Sequence, residues 1–135
     1  MTSSNAQDPP GAEASELKGL RILVVEDDWN LGTALKSLLQ ACGADVAGPV
    51  ATTAEADRLL LEYTPDVAIV DIHLQGGELA YGLIDRLQDQ RISVVVISGY
   101  SNLRPGKAPV FLQKPIVEEQ LLAHLRPMAA KKTTR

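Results

Sequence analysis

The chain has 135 residues, 45% of them apolar and 22% charged, which suits one globular domain and is too short for a core plus a second folded module. A formal net charge of −4 and an isoelectric point near 5.1 argue against a sequence-independent grip on nucleic acid. No apolar run approaches the roughly 20 residues that cross a bilayer. The single cysteine, Cys42, allows no internal disulfide, and no Cys/His cluster offers itself to structural zinc.

Residues 1–18 are rich in Ser, Ala, Pro, Gly and Glu and carry no apolar periodicity, so they read as a disordered tail. They lack a basic stretch followed by an apolar one, so no secretory signal is expected and the cytoplasm is the expected location. The folded domain is expected over 19–127, with 128–135 as a short basic tail.

The first apolar run, Ile22-Leu23-Val24-Val25, is short and mostly β-branched, and ends in Glu26-Asp27-Asp28. Leu31, Ala34, Leu35, Leu38, Leu39 and Cys42 then recur at helical spacing, with Asp28 placed to cap that helix. A strand over Asp45 to Val50 contains Gly48 and Pro49; proline lacks the amide donor, so this strand belongs at a sheet edge. Thr52-Thr53-Ala54-Glu55 offers a capping box to a second helix, whose inner face reads Ala56, Leu59, Leu60 and Tyr63. Val67-Ala68-Ile69-Val70 leads into Asp71, and Ala80, Leu83, Ile84 and Leu87 mark a third helix. Val94-Val95-Val96-Ile97 ends at Ser98-Gly99, and Val110-Phe111-Leu112 ends at Gln113-Lys114-Pro115. A last helix runs from about Glu118 to Arg126, with Leu121, Leu122 and Leu125 inward.

Strands apolar on both faces belong to a parallel sheet covered on both sides. Five of them alternating with helices predict an α/β fold: a flavodoxin-like, doubly wound (βα)5 sheet with strand order 2-1-3-4-5. In that arrangement the ligand site lies beyond the carboxyl ends of the first and third strands. Acidic groups from those strands, a hydroxyl from the fourth and an ammonium from the fifth thus meet at one sheet edge. Carboxylates packed together repel and call for a counter-ion. Mg²⁺ favours carboxylate and water oxygens; zinc is disfavoured because His73 stands alone.

ILVVEDD, AIVDIHL around Asp71, VVVISGY through Ser98 and FLQKP around Lys114 together resemble the signature of response-regulator receiver domains of two-component signalling, over about residues 20–127. The resemblance implies that Asp71 is the phospho-accepting nucleophile. It implies Mg²⁺ held directly by Asp27 and Asp71, by Glu26 mainly through water, and by the backbone carbonyl of His73. It makes Ser98 the switch hydroxyl, Lys114 the partner of the phosphoryl group and Phe111 the aromatic switch; simple core packing is the competing reading of Phe111. A solvent-facing loop residue is the competing reading of the His73 side chain.

The stretch GYSNLRPGKAPVFLQ departs from a typical receiver, being short and broken by Pro105, Gly106 and Pro109. The helix between the fourth and fifth strands is therefore expected to be short or irregular. Gly-Tyr after the fourth strand, GGELAY after Asp71 and LQKP resemble the atypical stand-alone FAT GUY type of receiver, which makes Tyr100 a rival for the aromatic role. That resemblance implies a histidine kinase of the HWE/HisKA2 type as phosphodonor, with a protein partner downstream or a role as phosphate sink. Two alternatives stand beside it. A haloacid-dehalogenase-like aspartyl-phosphate hydrolase shares the Asp, Mg²⁺ and Lys, but has a second Asp where this chain has His73. A pseudo-receiver scaffold would not need Glu26, Asp27, Asp71, Ser98 and Lys114 together.

Overall fold

The computed structural model of the chain describes residues 16–99 and 110–133. Five strands, β1 (Arg21–Val25), β2 (Asp45–Val50), β3 (Val67–Asp71), β4 (Ser93–Ser98) and β5 (Val110–Gln113), form one sheet in the order 2-1-3-4-5. Every neighbouring pair is parallel. The helices are α1 (Trp29–Ala41), α2 (Thr53–Leu60), α3 (Tyr81–Asp89) and α4 (Glu118–Thr133), with a 3-10 turn at Gln75–Gly77. This is the doubly wound, flavodoxin-like architecture, with β2 at the edge that its proline required. The expectation of a short or irregular helix between the last two strands falls on residues 100–109, outside the described residues.

Alternation along the strands divides the core. Ile22 and Val24 of β1, Val67 and Ile69 of β3, and Val95 and Ile97 of β4 pack with Leu35 and Leu39 of α1 and Leu121 and Leu125 of α4. Leu23 and Val25, Ala68 and Val70, and Val94 and Val96 point the other way, onto Ala56 of α2 and Leu83, Ile84 and Leu87 of α3. Both sheet faces are dry, which is why the strands read as unbroken apolar runs.

Four expectations need correction. Residues 16–18 are not part of a tail: Leu17 is fully buried, and its amide donates to Cys42 O at 2.7 Å. A single apolar residue in a turn has no periodicity to reveal it. The last helix passes Arg126 and Pro127 to Thr133, so residues 128–133 are helical rather than a tail. Ala129 is buried and Met128 packs against the same core, so burial one turn beyond Leu125 offsets the proline's missing hydrogen bond. On α1, Ala34 is exposed and Gly32 is buried in its place. The helix approaches β2 so closely that a Cβ on Gly32 would lie 2.8 Å from Pro49 Cβ. Tyr63 lies past the end of α2, where its hydroxyl donates to Asp45 O at 3.0 Å.

The caps form much as their residues suggest. Asp28 accepts from Asn30 N and Leu31 N at 3.0 and 3.2 Å. Thr52 accepts from Glu55 N at 3.1 Å, while Glu55 reaches back to Ala51 N, one residue before the usual capping-box position.

Candidate functional site

The strand register places the chemistry. Val25 pairs with Val70, so Glu26 and Asp71 both stand at the carboxyl edge of adjacent strands. Asp71 pairs with Ile97, and Ser98 with Gln113, so Ser98 and Lys114 follow in order along the same edge.

Each side chain is held by its own backbone. Glu26 is anchored by its amide, which donates to Val50 O at 2.8 Å, and its Oε2 accepts from Asp28 N at 2.9 Å. Asp71 Oδ1 accepts from His73 N at 3.1 Å. Lys114 is tied by its amide to Ser98 O at 2.7 Å, and a cis peptide joins it to Pro115. Its ammonium lies 2.9 Å from Asp71 Oδ2 and 3.0 Å from Glu26 Oε1, so one cation bridges both acids. Glu26 and Asp71 are only 2% and 3% exposed, which makes that bridge a buried one.

The carboxylates of Glu26, Asp27 and Asp71 bring ligand atoms within 4.8 Å of one another, with Asp27 the most open of the three. Three carboxylates outweigh one ammonium. Burial, assisted by the charge of Asp71 and opposed by the Asp28 amide and Lys114, pushes the Glu26 carboxyl up to about 7. Burial disfavours the charge on Lys114, but its hydrogen bond to Asp71 and the adjacent Glu26 carboxylate outweigh that cost and raise its pKa. Glu26 Oε1 is buried and, despite its proximity to Lys114, makes no well-directed hydrogen bond. An all-oxygen donor set, excess negative charge and an under-satisfied buried oxygen fit a hard divalent cation.

Ser98 is fully buried at the end of β4, and Phe111 is half-buried on β5, packed against the core shared with α2 and α3. The Tyr100 expectation lies outside the described residues. Trp29 stands 69% exposed just past the acidic turn.

Two supports go beyond what sequence reasoning assigned. The first is Gly48–Pro49 of β2, which the sequence marked only as an edge strand. Gly48 has φ +95°, and a Cβ there would meet Val24 O at 2.5 Å. The second is Glu78, whose carboxylate takes the Thr53 amide at 3.1 Å and the Thr53 hydroxyl at 2.5 Å. GGELAY contains Glu78, but no local spacing links it to a residue 25 positions earlier.

No family model matches the sequence. The chain is 33% identical over 115 residues to the virulence transcriptional regulatory protein PhoP of Salmonella choleraesuis; the match takes in 79% of this chain and spans about half the length of that relative, 50%. Among solved structures it resembles the signal receiver domain of a signal transduction histidine kinase from Syntrophus aciditrophicus, with TM-score 0.73 and 25% identity over 84% of this chain and 92% of that one. It also shares the fold of the response regulator PhyR from Brucella abortus, with TM-score 0.75 and 20% identity over 90% of this chain and 53% of that one. No helix among the described residues is long and apolar enough to cross a membrane. With the strand order, the acidic edge and these likenesses in place, the described part of this chain resembles the response-regulator receiver domains of two-component signalling.

Proposed function

We propose that this receiver accepts a phosphoryl group from a histidine kinase on Asp71 and passes the signal to a protein partner or serves as a phosphate sink. The observation that carries the reading is the Lys114 ammonium bridging Asp71 and Glu26 at 2.9 and 3.0 Å, on the sheet edge where the winding reverses. An Asp71 carboxylate oxygen forms a new O–P bond as the N–P bond of a phosphohistidine breaks, and the imidazole leaves with a proton from solvent. Lys114 stays beside the transferred group and neutralises part of its charge. Ser98, at the end of β4, donates its hydroxyl to a phosphoryl oxygen, and the resulting shift of β4 gives Phe111 or Tyr100 its switch role.

Glu26, Asp27, Asp71 and the backbone carbonyl of His73 would hold Mg²⁺, Glu26 mainly through water. When bound, the ion supplies positive charge to the phosphoryl oxygens. Water attack on the phosphorus reverses the modification, so the domain catalyses its own phosphorylation and dephosphorylation but turns over no metabolite. The Gly-Tyr, GGELAY and LQKP segments support the FAT GUY subclass, and with it a kinase of the HWE/HisKA2 type and a cytoplasmic setting.

The test is incubation with acetyl phosphate and Mg²⁺, read by intact mass. One phosphoryl group is expected on the wild-type chain and none on Asp71→Asn. Equal labelling of a folded Asp71→Asn protein would sink the assignment. Phosphotransfer from a panel of histidine kinases then tests the partner class.

A further inference from the structure

The segment that follows Asp71 is closed upon itself. Ala80 N donates to Ile72 O at 2.9 Å, Leu74 N donates to Glu78 O at 2.8 Å, and His73 and Leu79 form an antiparallel bridge. Its tip holds Gly76 and Gly77 at φ +72° and +80°, with open space around both. Such a tip confers little rigidity of its own. Yet the base of this loop carries the His73 amide that orients Asp71.

Beside Leu74, which is buried in the core, a polar side chain fastens the loop to the rest of the molecule. Glu78 spans to the first turn of α2 and takes both the amide and the hydroxyl of Thr53. Its carboxylate sits where the amides of a helix start are short of acceptors and where negative charge is favoured. Those two bonds hold its carboxyl below the usual carboxylate range. Thr52 occupies the cap position itself and serves Glu55 N, so Glu78 satisfies an amide that the helix's own cap does not reach.

We infer that Glu78 is a positioning residue for the phospho-acceptor site, acting through Thr53 to keep the loop in register so that the His73 amide stays on Asp71. The inference rests on the function proposed above and adds to it a link between α2 and the Asp71 carboxylate. Glu78 is not among the three carboxylates whose ligand atoms cluster at the site. It acts by limiting the ways the loop can sit, in the manner of the outer groups that orient metal ligands.

The experiment is a Mg²⁺ titration followed by Trp29 fluorescence, together with the rate of labelling by acetyl phosphate, for Glu78→Ala, Thr53→Ala, their double variant and Thr53→Ser. Glu78→Ala is expected to weaken Mg²⁺ binding on the order of tenfold and to slow labelling in proportion. Thr53→Ala, which keeps the backbone amide, is expected to show a smaller loss in the same direction. Thr53→Ser restores the hydroxyl and should match the wild type. The double variant should lose no more than Glu78→Ala alone, because both changes break one link. Amide hydrogen exchange at Leu74 and Ala80 should quicken in Glu78→Ala while that of the β3 core stays unchanged, which shows that the fold is intact and the loop alone is loosened. A folded Glu78→Ala protein with wild-type Mg²⁺ affinity and labelling rate overturns the inference and leaves the proposed function standing. A wild-type protein that neither binds Mg²⁺ nor takes the phosphoryl group overturns both.

Discussion

Glu26 makes the stability of this domain depend on pH in a direction opposite to that of a salt-bridged carboxylate. Its side chain is buried and its pKa is pushed up from 4.5 to about 7, first by burial and then by the neighbouring charge of Asp71. A carboxyl with a raised folded pKa binds more protons in the native state than in the unfolded one. Its contribution is therefore whole below about pH 4.5 and declines as pH rises through about 7, beyond which it is flat. At 1.36 kcal/mol per pH unit, the decline amounts to roughly 3 kcal/mol at most. Urea unfolding of wild type and Glu26→Gln between pH 5 and pH 8, without divalent ions, isolates this effect. The glutamine cannot serve both Asp28 N and Lys114 as the carboxylate does, which adds an offset between the proteins. That offset does not vary with pH while Lys114 stays charged, so the slope of the difference is the diagnostic. The variant should gain on the wild type by about 2–3 kcal/mol across the window. Saturating Mg²⁺ should erase the gain, since a cation favours the ionised carboxylate. Parallel pH profiles for the two proteins would refute the reasoning.

Three further outcomes are expected. Lys114→Ala removes the ammonium shared by two buried acids, and labelling by acetyl phosphate should slow on the order of 100-fold, measured by intact mass against time. Gly48→Ala forces a Cβ against Val24 O at φ +95° and should cost about 3 kcal/mol or more in thermal or urea unfolding. Arg91 sits at φ +64° just past α3, where Ile92 N bonds Leu87 O and Arg91 N bonds Gln88 O, the pattern in which glycine is usual. Arg91→Gly should therefore stabilise the domain by about 1 kcal/mol in the same assays, with labelling unchanged.

The arrangement of the fold was legible because burial on both sheet faces writes itself into each strand as a continuous apolar run. Pro49 marked β2 as an edge strand for a reason local to its own backbone. The residues at the strand ends were legible too, since a parallel sheet delivers all its carboxyl ends to one side. Helix length and face were less so. Ala34 satisfied the helical spacing, yet the near approach of Pro49 turned Gly32 inward instead. The last helix was expected to end at about Arg126, yet Met128 and Ala129 found burial beyond it.

Sequence alone determined the α/β class, the strand order and the set of acids, hydroxyl and lysine at one edge, because periodicity, proline and strand ends are local properties of the chain. Tertiary structure alone decided how those groups meet: that one ammonium bridges Glu26 and Asp71, that burial raises the pKa of the Glu26 carboxyl, and that Glu78 reaches Thr53 across the loop. Each of these depends on distances between segments far apart in the chain, and side-chain charge responds to whatever surroundings the folded packing supplies.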